Sequence, residues 1–471
     1  MLRICTCALL ALAFAIAPVC AQGEKVFRAG AYAQDIVPSK LPVSVNGGMQ
    51  DRIANSAHDR LHARALVLDD GQTRIALVVC DSCMIPRAIT DAAKALAQKA
   101  TGIPPERILI SATHTHYAPT LGGVFQSDPV EDYVKELPGM IAAGIAKAND
   151  RLAPAQIGWA VTKDSTQVFN RRWKVKPGSP LLVNPLGGTD HVRMNPERRH
   201  PDLLEPAGPI DPDITLLSVQ TPDGKPIALL ANYSLHYVGG WPALSADYFG
   251  AYAEKVRELL GADRDFVGIM SNGTSGDINN INFAGAAPGK QEPGEQIRIV
   301  ADSVAKASLA AYKTIKYHDW VPLAMAQKEI ELAVRRPRAA EVERAKDILD
   351  KANKKVLTTL PEVYARETVL MAKYPPNVKI ILQAIRIGEM GIVANPCDTF
   401  VEIGLEIKKK SPLRPTCTIE LANGYNGYLP TPEQHRLGGY ETWRARSSYL
   451  EVDAAPKITR TLLELLEQVA H

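Results

Sequence analysis

Residues 107–119 read Arg107-Ile108-Leu109-Ile110-Ser111-Ala112-Thr113-His114-Thr115-His116-Tyr117-Ala118-Pro119. The apolar run 107–112 is short and follows Pro104-Pro105, which predicts a buried strand. Two histidines leave its carboxyl end, where open α/β sheets hold their ligands. In extended chain a His-x-His pair lets one imidazole face a metal while the other flanks it. The plainer alternative is a pair of core or surface histidines.

The arrangement recurs along the chain. Asn232-Tyr233-Ser234-Leu235-His236 follows the apolar run 227–231. Ser271-Asn272-Gly273-Thr274-Ser275-Gly276-Asp277 follows a strand-like run at 266–270, and its small residues permit close backbone approach and anion-cradling amides. Asn395-Pro396-Cys397-Asp398-Thr399-Phe400 follows 391–394; Asp398 either ligates a metal or caps a helix starting at Phe400. Asn423-Gly424-Tyr425-Asn426-Gly427-Tyr428-Leu429-Pro430, with Gly438-Gly439-Tyr440-Glu441 beyond it, sets tyrosines among glycines in irregular chain.

Between these clusters, strand-like and helix-like runs alternate. Hairpins are predicted at 63–68 with 74–80, at 214–219 with 227–233, and at 378–387 with 391–394. Helical spacing occupies 88–99, 130–148, 251–260, 296–313 and 458–469. The pattern predicts one α/β domain of layered mixed β-sheets flanked by helices. Residues 177–212 are rich in Pro, Gly and charge and read as a long ordered loop; loops of that length inside a domain are usually functional covers or disordered inserts. A small helical insertion is expected at 335–375, with a highly charged helix at 339–355.

Composition narrows the function. Lys+Arg number 54 against 51 Asp+Glu in 471 residues, and a net charge of +3 gives no footprint for nucleic acid. Lys408-Lys409-Lys410 reads as a solvated helix C-terminus. Residues 1–21 combine Arg3, the apolar run 8–19 and Val19-Cys20-Ala21, a secretory signal cleaved after Ala21. The mature domain is then 22–471, secreted or periplasmic; a lipoprotein signal at Cys20 is the rival. No transmembrane helix is expected, because that run is too short and no second apolar run of about 20 residues follows. Cys80, Cys83, Cys397 and Cys417 remain, too few for a disulfide framework. Cys80-Asp81-Ser82-Cys83 lacks a second CxxC and thioredoxin-like context, so its cysteines are expected buried or disulfide-bonded. An aromatic content of 6% and the polar stretch 177–212 argue against a deep apolar tunnel.

The order of the five clusters resembles the neutral/alkaline (non-lysosomal) ceramidases. The resemblance runs from Arg28-Ala29-Gly30 to Glu441, through SATHTHYAP (111–119), NYSLH (232–236), SNGTSGD (271–277), FVEIGLEIK (400–408) and NGYNGYLPT (423–431). It implies the family's catalytic domain: a zinc-dependent hydrolase with one Zn2+ per chain, in which metal-activated water attacks an N-acyl amide or related ester. The implied metal ligands are His114, His236, Asp398 and Tyr428. His116 would handle the leaving-group proton, and Tyr440 and Arg171 would stabilise the oxyanion, with Arg172 as a substitute for Arg171. The family's Asn-Arg pair falls on Asn170-Arg171.

Three departures carry weight. The family's active-site serine is Asn279 here; an amide is no such nucleophile, so Asn279 and Asp277 are assigned to the substrate or oxyanion side and water attack is retained. The carboxylate ligand is Asp398 instead of Glu, one methylene shorter, so a shift of backbone or metal, or participation of Cys397, is expected. The family's C-terminal immunoglobulin-like domain has no counterpart, so a single domain is expected. The partner is a small-molecule or lipid substrate, with a smaller amide, ester or lactone in place of ceramide. Alternatives are a degenerate relative that binds lipid or glycan without turnover, and a metal-dependent lactonase or phosphatase-like hydrolase with Asp81 in a second metal site. Asp247 is placed either beside His236 or as a helix N-cap, and His200 on the solvated long loop.

Overall fold

Ile108–Ala112 runs parallel to Arg74–Cys80, the inner neighbour that joins the first histidine pair to a five-stranded sheet. The computed structural model describes residues 25–471, so the expected signal segment 1–21 and the rival lipoprotein site at Cys20 lie outside the described residues. The sheet continues antiparallel through His62–Asp69 and Arg28–Asp35 to the short edge Ala153–Pro154. A second sheet has the order Val267–Asn272, Pro226–Tyr233, Asp213–Gln220, Gln156–Lys163, its first pair parallel. A third has the order Leu323–Ala333, Asn377–Ile387, Met390–Ala394, Thr416–Ile419, its last pair parallel. The three predicted hairpins are present in these sheets.

Alternation along each strand divides its side chains between two layers. Leu66, Leu68, Leu77 and Leu109 join Leu217, Leu230 and Ile269 of the second sheet and Leu323, Ile385 and Ile392 of the third in one shared apolar interior. Their neighbours Ala65, Val67, Val78 and Ile110 face outward onto the helices Arg87–Thr101 and Glu131–Asp150. The second sheet is covered by Asp247–Leu260 and Glu295–Tyr312. The third is covered by Val401–Lys410 and Ala454–Ala470, whose Ile458, Leu462, Leu465 and Val469 form one helical stripe. The result is the layered mixed α/β architecture expected from the alternation of elements.

One region is more structured than its composition suggests, and the expected helical stretch 335–375 holds two helices. The stretch 177–212 is no simple loop: Val192–Met194 and Leu203–Pro206 flank Arg172–Val175 in a small three-stranded sheet. Strands of three or four residues are too short to leave a period in the sequence. Residues 335–375 contain the helices Ala339–Ala352 and Leu360–Met371, the second packing Val363 and Tyr364 against Phe125 and Trp443. No described helix is long and apolar enough to cross a membrane.

The site is positioned by chain leaving the carboxyl ends of the parallel strands. Residues 420–423, just past Thr416–Ile419, stitch all three sheets together. The Ala112 amide donates to Leu421 O at 3.1 Å, the Asn423 amide to Ile110 O at 2.7 Å, and the Glu420 amide to Asn272 O at 3.3 Å. His114, His236, Ser275 and Asp398 all emerge around this junction.

Candidate metal centre

His114 lies two residues past its strand with φ 72, an uncommon backbone state for a residue with a side chain. Its amide donates to Ser82 O at 2.9 Å. Its ring Nδ1 donates to Cys83 O at 2.7 Å, which leaves the Nε2 lone pair pointing inward. His236 repeats the device, with Nδ1 donating to Ser275 O at 3.1 Å. The two Nε2 atoms are 3.1 Å apart, and His116 Nε2 is also 3.1 Å from His114 Nε2. Asp398 Oδ2 lies 3.5 Å from His114 Nε2, while its Oδ1 is buried with no hydrogen-bond partner. The donor atoms of His114, His236 and Asp398 all lie within 4.8 Å of one another. Converging acceptors, one of them a buried orphan oxygen, form a donor set that fits a metal ion.

The electrostatics agree. Burial pushes His114 down to about 4 despite its bond to Cys83 O, and holds His116 and His236 well below the ordinary imidazole range. All three rings are neutral at pH 7, the form that ligates metal. Burial raises the Asp398 carboxyl, and the Arg171 charge opposes that rise.

Asp398 and Tyr428 are paired residues of a two-residue parallel ribbon, Asp398–Thr399 with Tyr428–Leu429. The Tyr440 ring stands edge-on to Tyr428, with centroids 5.8 Å apart. His116 is held between two surfaces. Its ring stacks on Tyr237 at 3.6 Å, and a Cβ on Gly47 would stand 2.3 Å from its Cγ. Gly47 also has φ 111, so both the close approach and the backbone require glycine there.

Arg171 places NH1 3.3 Å from His236 Nε2, donates NH2 to Gly276 O at 2.7 Å, and donates Nε to Glu441 Oε1 at 3.0 Å. Arg172 donates NH1 to the other Glu441 oxygen at 2.6 Å and NH2 to Gly438 O at 2.7 Å. Successive residues of extended chain point opposite ways, so Arg171 faces the histidines and Arg172 braces the segment behind them.

The remaining candidates occupy the surrounding polar frame. Asp277 Oδ2 accepts from Asn170 Nδ2 at 2.7 Å, and Oδ1 accepts from the Val401 amide at 2.9 Å. Asp277 therefore serves the N-terminus of Val401–Lys410, and Asp398, the alternative cap, is left free. Burial pushes Asp277 up to about 7. Asn279 donates to Asn195 Oδ1 at 2.7 Å and accepts from the Ile281 amide at 2.9 Å. Neither Asp277 nor Asn279 lines the histidine cavity. Asp247 begins its helix at φ 56 and accepts the Val238 and Gly239 amides at 3.0 and 2.8 Å, anchoring the loop that carries His236 and Tyr237. Asp81 pairs with Arg64 at 2.6 Å and belongs to neither candidate metal group. His200 accepts the Asp202 amide at 3.2 Å on the outer stretch.

The four described cysteines are free and buried. Cys397 packs in the apolar core with Phe400 and Ile403 and joins neither metal group. Cys83 is the one that reaches the site: its Sγ is 3.8 Å from His114 Nδ1, and with His114 and His116 it forms the second donor group among the described residues. Its signal in the sequence was its place just past the strand ending at Cys80. Tyr425 belongs to the Gly–Tyr cluster 423–430, whereas Tyr237 and the role of Glu441 had no comparable signal.

The cavity beside these groups measures about 30 Å³ and is walled by Met84, Val124, Phe125, Tyr425 and Tyr440. Tyr440 separates it from a second cavity of about 80 Å³, lined by Met49, Leu181, Val183, Met194, Leu360 and Trp443.

No family model matches this sequence. Among solved structures, the chain is similar to neutral ceramidase from Pseudomonas aeruginosa, with a TM-score of 0.71 and 18% identity over 94% of this chain and 74% of that one. It is also similar to a ceramidase complexed with C2, with a TM-score of 0.71 and 17% identity over 94% of this chain and 75% of that one. The chain has a ceramidase-like α/β fold.

Proposed function

We propose that this chain is an exported zinc-dependent hydrolase of N-acyl amides, with the metal held by His114, His236, Asp398 and Tyr428. The observation that carries the reading is the convergence of the His114 and His236 Nε2 atoms on each other and on the buried Asp398 carboxylate. Two neutral imidazoles, a carboxylate and a weak phenol donor suit zinc and leave room for a water. When bound, zinc supplies a lowered water pKa and a polarised substrate carbonyl.

The protein's own groups do the rest. The Cys83 and Ser275 carbonyls fix which nitrogen of each ligand imidazole carries the proton. The Arg171 cation, tied to Glu441, is aimed beside His236 where negative charge develops on the carbonyl oxygen, and the Tyr440 hydroxyl serves the same oxygen. His116, held by Tyr237 and Gly47, would take a proton from the attacking water and pass it to the departing amine. The cavity beside the donor atoms is small, about 30 Å³ and walled by Phe125 and Tyr440, which supports short-chain over long-chain amides as substrates.

A panel of N-acyl amides graded by acyl length, including N-acylsphingosines, tests this reading with and without chelator. Turnover that falls with chain length, stops with chelator and returns with zinc is expected. Binding without turnover of any member, or turnover indifferent to chelation, overturns it.

A further inference from the structure

Glu420 is wholly buried at the carboxyl end of Thr416–Ile419, and among the described residues it forms no ion pair with Lys or Arg. Its Oε1 accepts the Ser275 hydroxyl at 2.8 Å. Its Oε2 accepts the Thr399 amide at 2.6 Å and the Ser275 amide at 3.3 Å. A buried carboxylate without a cation is costly to keep, so its hydrogen bonds and what they reach decide its purpose.

We infer that Glu420 is a positioning residue that orients two metal ligands at once, His236 through Ser275 and Asp398 through Thr399; this rests on the metal-dependent reading above. Burial and the Asp398 charge raise the Glu420 carboxyl and the three donors from Thr399 and Ser275 oppose that rise; in the ionised form those donors favour, the Ser275 hydroxyl gives its one proton to Glu420. Its oxygen, 3.4 Å from His236 Nδ1, can then offer that nitrogen only lone pairs. Ser275 O accepts from the same Nδ1 at 3.1 Å. Both partners are acceptors, so the imidazole proton stays on Nδ1 and the Nε2 lone pair faces His114. The other oxygen pins the backbone immediately after Asp398, in the ribbon that also carries Tyr428.

Glu420→Gln separates this role from bulk. The amide keeps the shape but must turn an NH2 group toward either the Ser275 hydroxyl or the backbone amides. Turned toward Ser275, it frees the hydroxyl proton to point at His236 Nδ1, which favours the imidazole tautomer that cannot ligate through Nε2.

The test measures zinc affinity by chelator competition and the visible spectrum of the Co2+-substituted protein, for wild type, Glu420→Gln and Ser275→Ala. The expected result is zinc affinity weaker by about 10–100-fold in Glu420→Gln and about tenfold in Ser275→Ala, with a shifted Co2+ spectrum in both. Ser275→Ala removes only a hydroxyl and decides the matter if Glu420→Gln does not fold. A wild type that binds metal, alongside folded variants with unchanged affinity and spectrum, overturns this inference alone. A wild type that binds no metal overturns the metal-dependent reading and this inference with it.

Discussion

The Nε2 atoms of His114 and His236 stand 3.1 Å apart, although 122 residues separate them in sequence and they leave strands of different sheets. Each ring donates its other nitrogen to a backbone carbonyl, so two lone pairs are held facing one another. A metal ion between them would satisfy both at once, in addition to the Arg171 NH1 that stands 3.3 Å from His236 Nε2, and this is the physical basis of the proposed chemistry.

Gly47 is predicted to be indispensable for turnover and dispensable for metal binding. Gly47→Ala introduces a methyl 2.3 Å from the His116 ring on a backbone with φ 111, and the imidazole must move. A displacement of about 1 Å in a catalytic group costs about 10²-fold in kcat. Metal content by atomic absorption is expected to match wild type, because His116 lies outside the proposed ligand set.

The Arg171–Glu441–Arg172 cluster is predicted to fail when its carboxylate is removed. Both arginines and Glu441 are buried, and each oxygen serves one guanidinium. Glu441→Ala leaves two uncompensated buried cations and is expected to cost about 3–5 kcal/mol of stability, read from urea denaturation. An unchanged midpoint would show that the cations find other partners.

Acid sensitivity has an identifiable contributor in His435. Burial, then the Arg335 and Arg172 charges, push this imidazole down to about 3. Its folded pKa is depressed below the unfolded value of about 6.5, so its contribution is fully present above pH 6.5 and is lost as pH falls from there toward 3. His435→Gln removes this one proton uptake. The acid-unfolding midpoint, followed by circular dichroism, is expected at lower pH in the variant than in wild type.

Much of this site was legible in the chain because each element announces itself locally. His114, His236 and Asp398 each follow a short apolar run, and that run marks the strand end which carries the ligand. The hairpin at Asp69-Asp70-Gly71 and the stripe Ile458, Leu462, Leu465 follow the same local logic. What was hidden depends on long-range partners. That Asp398 is free and Asp277 serves the helix depends on packing between residues 124 positions apart. Arg171 and Arg172 were interchangeable until Glu441, some 270 residues on, received one from each side. The small sheet around Arg172–Val175 escaped because its strands are too short to show a period. The apolar cavity behind Tyr440, partly built by that same stretch, gives the site more hydrophobic lining than the 6% aromatic content suggested.

The metal content of the purified protein tests the central claim most directly, measured by atomic absorption on wild type, His114→Ala and His236→Ala. One equivalent of zinc in wild type and almost none in either variant is the predicted result. A wild type without metal, or variants that keep it, would contradict the proposed centre.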